Sequence, residues 1–129
     1  MFFTRKLKLC AGVVLAIALV QLPLIAQSDP DGGKLRDKVV AALKSTAEGT
    51  CPEKLMNALL LDQCEQQLPR NRKALSDLGP IKEVRYRGLD TLPTGQEVEV
   101  YRITFTNGRL TWAAAAGPNG KLSVLWSQG

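Results

Sequence analysis

The chain has no histidine among its 129 residues. That removes the commonest general base at neutral pH, serine–histidine triads and histidine-based metal sites. No Ser-x-x-Lys occurs beyond residue 28, so a β-lactamase-like nucleophile is not expected. The phosphate-cradling pattern G-x-x-x-x-G-K-S/T and the dinucleotide pattern G-x-G-x-x-G are missing too. There is no internal repeat and no low-complexity tract. Cysteine is scarce, at three residues. The only carboxylate pair that suggests catalysis is Glu97-Val-Glu99, which an extended strand would present on one face. A solvated strand face is the simpler account of it. The chain is therefore read as no enzyme, with no catalytic residue, no cofactor and no metal.

What is present begins with an address. Arg5, Lys6 and Lys8 form a positive start, Leu9 to Val20 is an unbroken apolar run, and Pro23 and Ala26-Gln-Ser28 follow. This order predicts a cleaved signal peptide over residues 1–28, cut after Ser28, with Ala26 as the alternative. The rival reading is an uncleaved anchor. A spanning helix needs roughly 20 apolar residues, and Leu9 to Ala26 is shorter and contains Gln21 and Pro23. The expected location is periplasmic or secreted, with no membrane span after cleavage.

Removing 28 of 129 residues leaves 101, and removing Arg5, Lys6 and Lys8 leaves 14 basic against 12 acidic residues, or +2. A nucleic-acid binder needs a concentrated basic footprint, so scattered charge at +2 predicts none. Cys51 and Cys64 are the two cysteines left. In an oxidising compartment an even count predicts a disulfide. The surrounding pattern raises a conflict. Residues 52–66 read as a helix, with Pro52 at its first position and Leu55, Met56, Leu59 and Leu60 as its stripe. One straight helix would hold the cysteines roughly 20 Å apart, whereas a bridge needs Cα atoms within about 7 Å. Either the helix breaks near Leu61 or the cysteines stay apart. The bridge is the favoured outcome.

Residues 29–33 read as a flexible leader and 34–129 as one domain. Leu35, Val39, Leu43 and Ala47 recur at steps of four and predict a helix over 34–48, ended by Gly49. Leu68-Pro69 should interrupt the second helix, leaving a short third one over 70–78. After Pro80 the apolar period changes to two. Strands are predicted over 81–88 and 97–106. The parity switch between Val98, Val100 and Tyr101, Ile103, Phe105 predicts a bulge near Val100. Asn107-Gly108 predicts a two-residue turn pairing Phe105 with Leu110, Ile103 with Trp112 and Tyr101 with Ala114. Pro118-Asn119-Gly120 predicts a three-residue loop that opposes Ala116 to Leu122, Ala114 to Val124 and Trp112 to Trp126. The fold class is α+β, with N-terminal helices packed on one face of a four-stranded antiparallel meander.

The segments Gln67-Leu68-Pro69, "LGPIKEVRYRG" (78–88), "VEVYRITFTNGRLTW" (98–112) and "GPNGKL" (117–122) resemble the small NTF2-like (cystatin-like) domains of exported bacterial proteins. Such domains also occur beside serine hydrolases of the β-lactamase-related type. The resemblance covers the chain from Leu55 onward. It implies the α+β fold and no catalytic residue.

On the sheet face away from the tryptophans, Arg85, Arg87, Arg102 and Arg109 should lie together. Arginine forks suit carboxylates and phosphates, so these four form a candidate docking face, set against plain solvation. Trp112 and Trp126 suit either a ligand pocket or ordinary core. The expected function is a non-enzymatic exported accessory or binding module, monomeric or homodimeric, acting through an unknown protein or anionic envelope component. The alternative is an inhibitor or immunity-type protein that blocks an envelope enzyme.

Overall fold

The computed structural model describes residues 32–128. The predicted signal peptide, 1–28, and leader residues 29–31 lie outside them. The described chain runs α1 (Arg36–Ala47), α2 (Ala58–Leu78), β1 (Ile81–Thr91), β2 (Glu97–Phe105), β3 (Gly108–Ala116) and β4 (Leu122–Ser127). The strands form one antiparallel sheet in the order β1-β2-β3-β4. Both helices pack on one face of it, which is the expected α+β class. Among the described residues no helix is long and apolar enough to cross a membrane.

α1 follows its periodicity. Val39 and Leu43 are buried, Leu35 and Ala47 pack beside them, and Gly49 takes φ +99° just past the end. The second helix differs from expectation in three ways. It starts at Ala58 instead of Pro52, because Asn57 supplies a better cap: its side chain accepts the Leu60 N–H at 2.9 Å. Pro52 instead turns the chain, its carbonyl accepting the Leu55 and Met56 N–H groups. There is no break near Leu61, and α2 continues through Pro69 to Leu78. Pro69 removes one helical hydrogen bond, yet it sits on the solvent-exposed side of α2, as does Glu65, whose carbonyl is freed.

The segment before α2 joins the sheet. Asn57 N–H donates to the Leu122 carbonyl at 2.9 Å, and Leu122 N–H donates to Leu55 at 2.7 Å. This pins the start of α2 against β4. At the other edge of the sheet, Arg36 on α1 donates to the Val84 carbonyl of β1 at 2.8 Å.

The first hairpin turns one residue earlier than predicted. Phe105 pairs with Gly108, Ile103 with Leu110 and Tyr101 with Trp112, so the turn residues are Thr106 and Asn107. The shift is two residues, which keeps every side chain on its expected face. The predicted bulge exists opposite the Tyr101–Val100 step, but β1 carries it, between Tyr86 and Gly88. β2 itself runs unbroken. Val98 and Val100 therefore face away from the helices, where they join Ala113, Ala115, Leu92 and Val124 in a small second cluster.

The second loop keeps its three residues. Gly117 N–H donates to Lys121 at 2.9 Å, and Gly120 takes φ +80°. Ala116 pairs with Leu122 as predicted. A further bulge then places Ala115 opposite Val124, Ala114 opposite Leu125 and Ala113 opposite Trp126. One extra residue in a strand reverses the faces of everything after it. Leu125, not Val124 or Trp126, therefore completes the helix-covered face, and Trp126 is 45% exposed. The main core gathers Val39, Leu43, Leu60, Tyr101, Ile103 and Leu122 between helices and sheet.

Candidate functional site

Cys51 and Cys64 are joined in a disulfide, with Cα atoms 6.1 Å apart. The late start of α2 resolves the conflict in the sequence. Cys51 precedes the helix on the returning 51–57 segment, while Cys64 faces inward from its second turn. The bridge therefore ties the helix connection to α2.

The carboxylate pair divides: Glu97 is exposed, whereas Glu99 is half-buried and bonded within the chain. Glu99 accepts hydrogen bonds from Lys34 N–H (3.0 Å), Leu35 N–H (2.9 Å) and the Tyr101 hydroxyl (2.6 Å). Leu35 N–H also reaches the Tyr101 oxygen at 3.2 Å. An acceptor from β2 thus stands at the N-terminus of α1, where a negative charge is favoured. Gly33 is required beside it, because a Cβ there would collide with the Tyr101 hydroxyl oxygen. Burial, and then the hydrogen bond to Glu99 and its charge, push the Tyr101 pKa well above the ordinary tyrosine value. Burial and the charges of Glu99 and Glu97 raise that of Tyr86. Both phenols stay neutral at ordinary pH, and this corner anchors the entry to α1.

The four arginines separate into different settings. Arg85 stands opposite Arg102 across the β1–β2 ladder, and Arg102 stands opposite Thr111. Arg109 lies one row on, opposite Thr104. Arg87 is exposed within the β1 bulge. Arg85 is paired with Glu83 at 3.2 Å, both exposed, whereas Arg102 and Arg109 make no ion pair among the described residues.

A cleft of about 390 Å³ opens between α2 and the helix-facing side of β3 and β4. Its apolar wall includes Leu60 and Leu75 of α2 and Leu110 and Trp112 of β3. Gln63, Gln67 and Asn71 line it from α2. They recur every four residues and so form one row of amides, roughly 12 Å long at 1.5 Å per residue. No charged side chain lines the cleft among the described residues. The Trp112 indole N–H is buried and has no hydrogen-bond partner among the described residues. Buried donors are nearly always paired, and leaving one unpaired costs about 1–3 kcal/mol.

The sequence pointed to Trp112 but not to the amide row. Splitting the helix at Pro69 hides the row, because only a continuous α2 brings Gln63, Gln67 and Asn71 onto one face. Their i, i+4, i+8 spacing was the available signal. No metal-binding cluster is found among the described residues. Comparison with protein-family models, curated proteins and solved structures gave no match.

Proposed function

We propose that the protein is a non-enzymatic binding module of the cell envelope, periplasmic or secreted, whose ligand sits in the cleft between α2 and β3. The uncharged lining of the cleft, leucines beside the row of amides Gln63, Gln67 and Asn71, carries this reading. Two features support binding over catalysis. The side chains lining the cleft offer no general acid or base, since Cys64 is committed to its disulfide. The likeness to small NTF2-like domains implies no catalytic residue either. The disulfide and the N-terminal apolar run support export.

A second reading concerns the opposite face of the sheet. Like charges directly opposed across a ladder destabilise it, and Arg85 faces Arg102 in that way. An acidic protein or anionic envelope component docked there would offset the repulsion. This surface would also serve the alternative role, that of an inhibitor or immunity-type protein.

The cleft is tested by plugging it. Gln67 is exposed on α2, so Gln67→Trp should fold while filling the opening. The disulfide-bonded protein is incubated with host envelope extract and examined by native mass spectrometry. The expected result is a bound species on the wild type that Gln67→Trp lacks. The same species on both proteins, or none on either, would count against the cleft.

A further inference from the structure

We propose that the cleft takes an uncharged amphiphile: an apolar body on its leucine floor and a hydroxyl- or amide-bearing head along the Gln63–Gln67–Asn71 row. This rests on the cleft being the binding site. It assigns the class of occupant from three properties of the lining.

The first property is charge. With no charged side chain in the lining, an ionic ligand would lose its hydration without gaining a counter-ion, and that transfer is strongly unfavourable. The second is the floor. Leu43, Leu60, Leu75, Leu78, Leu110 and Leu125 all border the cleft. A peptide backbone laid on them would bring an N–H and a carbonyl with every residue and find no partners there. An alkyl body brings neither. The third is the arrangement of polar groups. Each amide both donates and accepts, which matches hydroxyls and amides and gives an anion no advantage. The volume of about 390 Å³ falls at the small end of ligand pockets, roughly 300–1,000 Å³.

The test uses three probes with one tail: decyl β-glucoside, decanoate and decylammonium, each below its micelle concentration. Titration calorimetry on the disulfide-bonded protein should show saturable, one-to-one binding of decyl β-glucoside. The two charged probes should bind at least about tenfold more weakly. Gln67→Trp, which alters no core position, should abolish binding.

Equal or tighter binding of a charged probe would overturn the assignment while leaving the cleft as a site. So would silence from all three probes together with an extract species that Gln67→Trp loses. Glucoside binding that survives Gln67→Trp would place the amphiphile elsewhere and overturn both.

Discussion

Tyr101 donates its phenolic hydrogen to Glu99 two residues earlier on β2, at 2.6 Å, and Glu99 in turn holds the Lys34 and Leu35 N–H groups ahead of α1. A strand residue therefore does the work that a capping side chain within α1 would otherwise do, since Leu35 at the N-cap position supplies none. Removing the carboxylate strands a buried hydroxyl and a half-buried N–H together. Hydrogen bonds to charged groups are worth about 1.5–3 kcal/mol. Glu99→Ala should lower the unfolding free energy by about 2–3 kcal/mol, and Glu99→Gln by less because one acceptor remains. Urea unfolding measures both. A Glu99→Ala protein within about 0.5 kcal/mol of wild type, the range of an ordinary surface substitution, would mean that solvent replaces the anchor without loss.

The same corner sets an alkaline limit. The Tyr101 pKa is raised in the folded state, so its contribution is fully present below the unfolded value of about 10 and is lost as pH rises past it toward the folded value. Stability should fall above about pH 10, with a slope from this group of at most about 1.4 kcal/mol per pH unit. Tyr101→Phe should be less stable near neutrality, having lost the bond to Glu99, but should decline less steeply above about pH 10. A small slope should persist in that variant, because the Tyr86 pKa is raised too. Unfolding curves from mildly to strongly alkaline pH decide it. Parallel declines in both proteins would show that other groups set the limit.

Pro69 offers a gain. A proline inside a helix costs about 3 kcal/mol relative to alanine, of which up to about 1 kcal/mol is offset by a stiffer unfolded chain. Pro69 is exposed, so its replacement disturbs no packing. Pro69→Ala should raise stability by about 2–3 kcal/mol. It should also lengthen protection from hydrogen exchange around Glu65 and residue 69. An unchanged or lower midpoint would mean that the proline fits α2 without strain.

The proline also shows where the sequence stopped being legible. Local rules place a break at Leu68-Pro69, and tertiary packing overrides them: Leu60, Cys64 and Leu75, on both sides of Pro69, are buried on one line of contact with the core. The faces of β2 and β3 were readable because strict alternation survives a two-residue shift in register. That of β4 was not, since the bulge after Leu122 has no signature in "KLSVLW" and reverses Val124, Leu125 and Trp126. The cysteine bridge was readable from their number, but the route was not, because it depends on Asn57 outcompeting Pro52 as the start of α2. Glu99 was the hardest to foresee. Its backbone partners, Lys34 and Leu35, belong to the far end of the described chain, and nothing local to Glu97-Val-Glu99 distinguishes an anchor from a wet surface.

The outer sheet face yields the last prediction. Arg102 and Arg109 have no ion pair among the described residues, and they stand opposite threonines on β3 and β2. If they only hold water, Arg102→Gln and Arg109→Gln should each change stability by no more than about 0.5 kcal/mol. Capture of envelope components should then be unaffected. If the face docks an acidic partner, stability should hold equally well, but capture should weaken and lose part of its salt dependence, because exposed charges act through long-range attraction that salt screens. Relief of the Arg85–Arg102 repulsion adds a sign to the stability measurement. Arg102→Gln should be neutral or slightly stabilising, whereas Arg109→Gln, which opposes no arginine, should show no gain. Urea unfolding beside pull-down at low and high salt reads both effects. A folded double variant that captures the same components with the same salt response would exclude the arginine face as a docking surface and leave the cleft as the only site of the two.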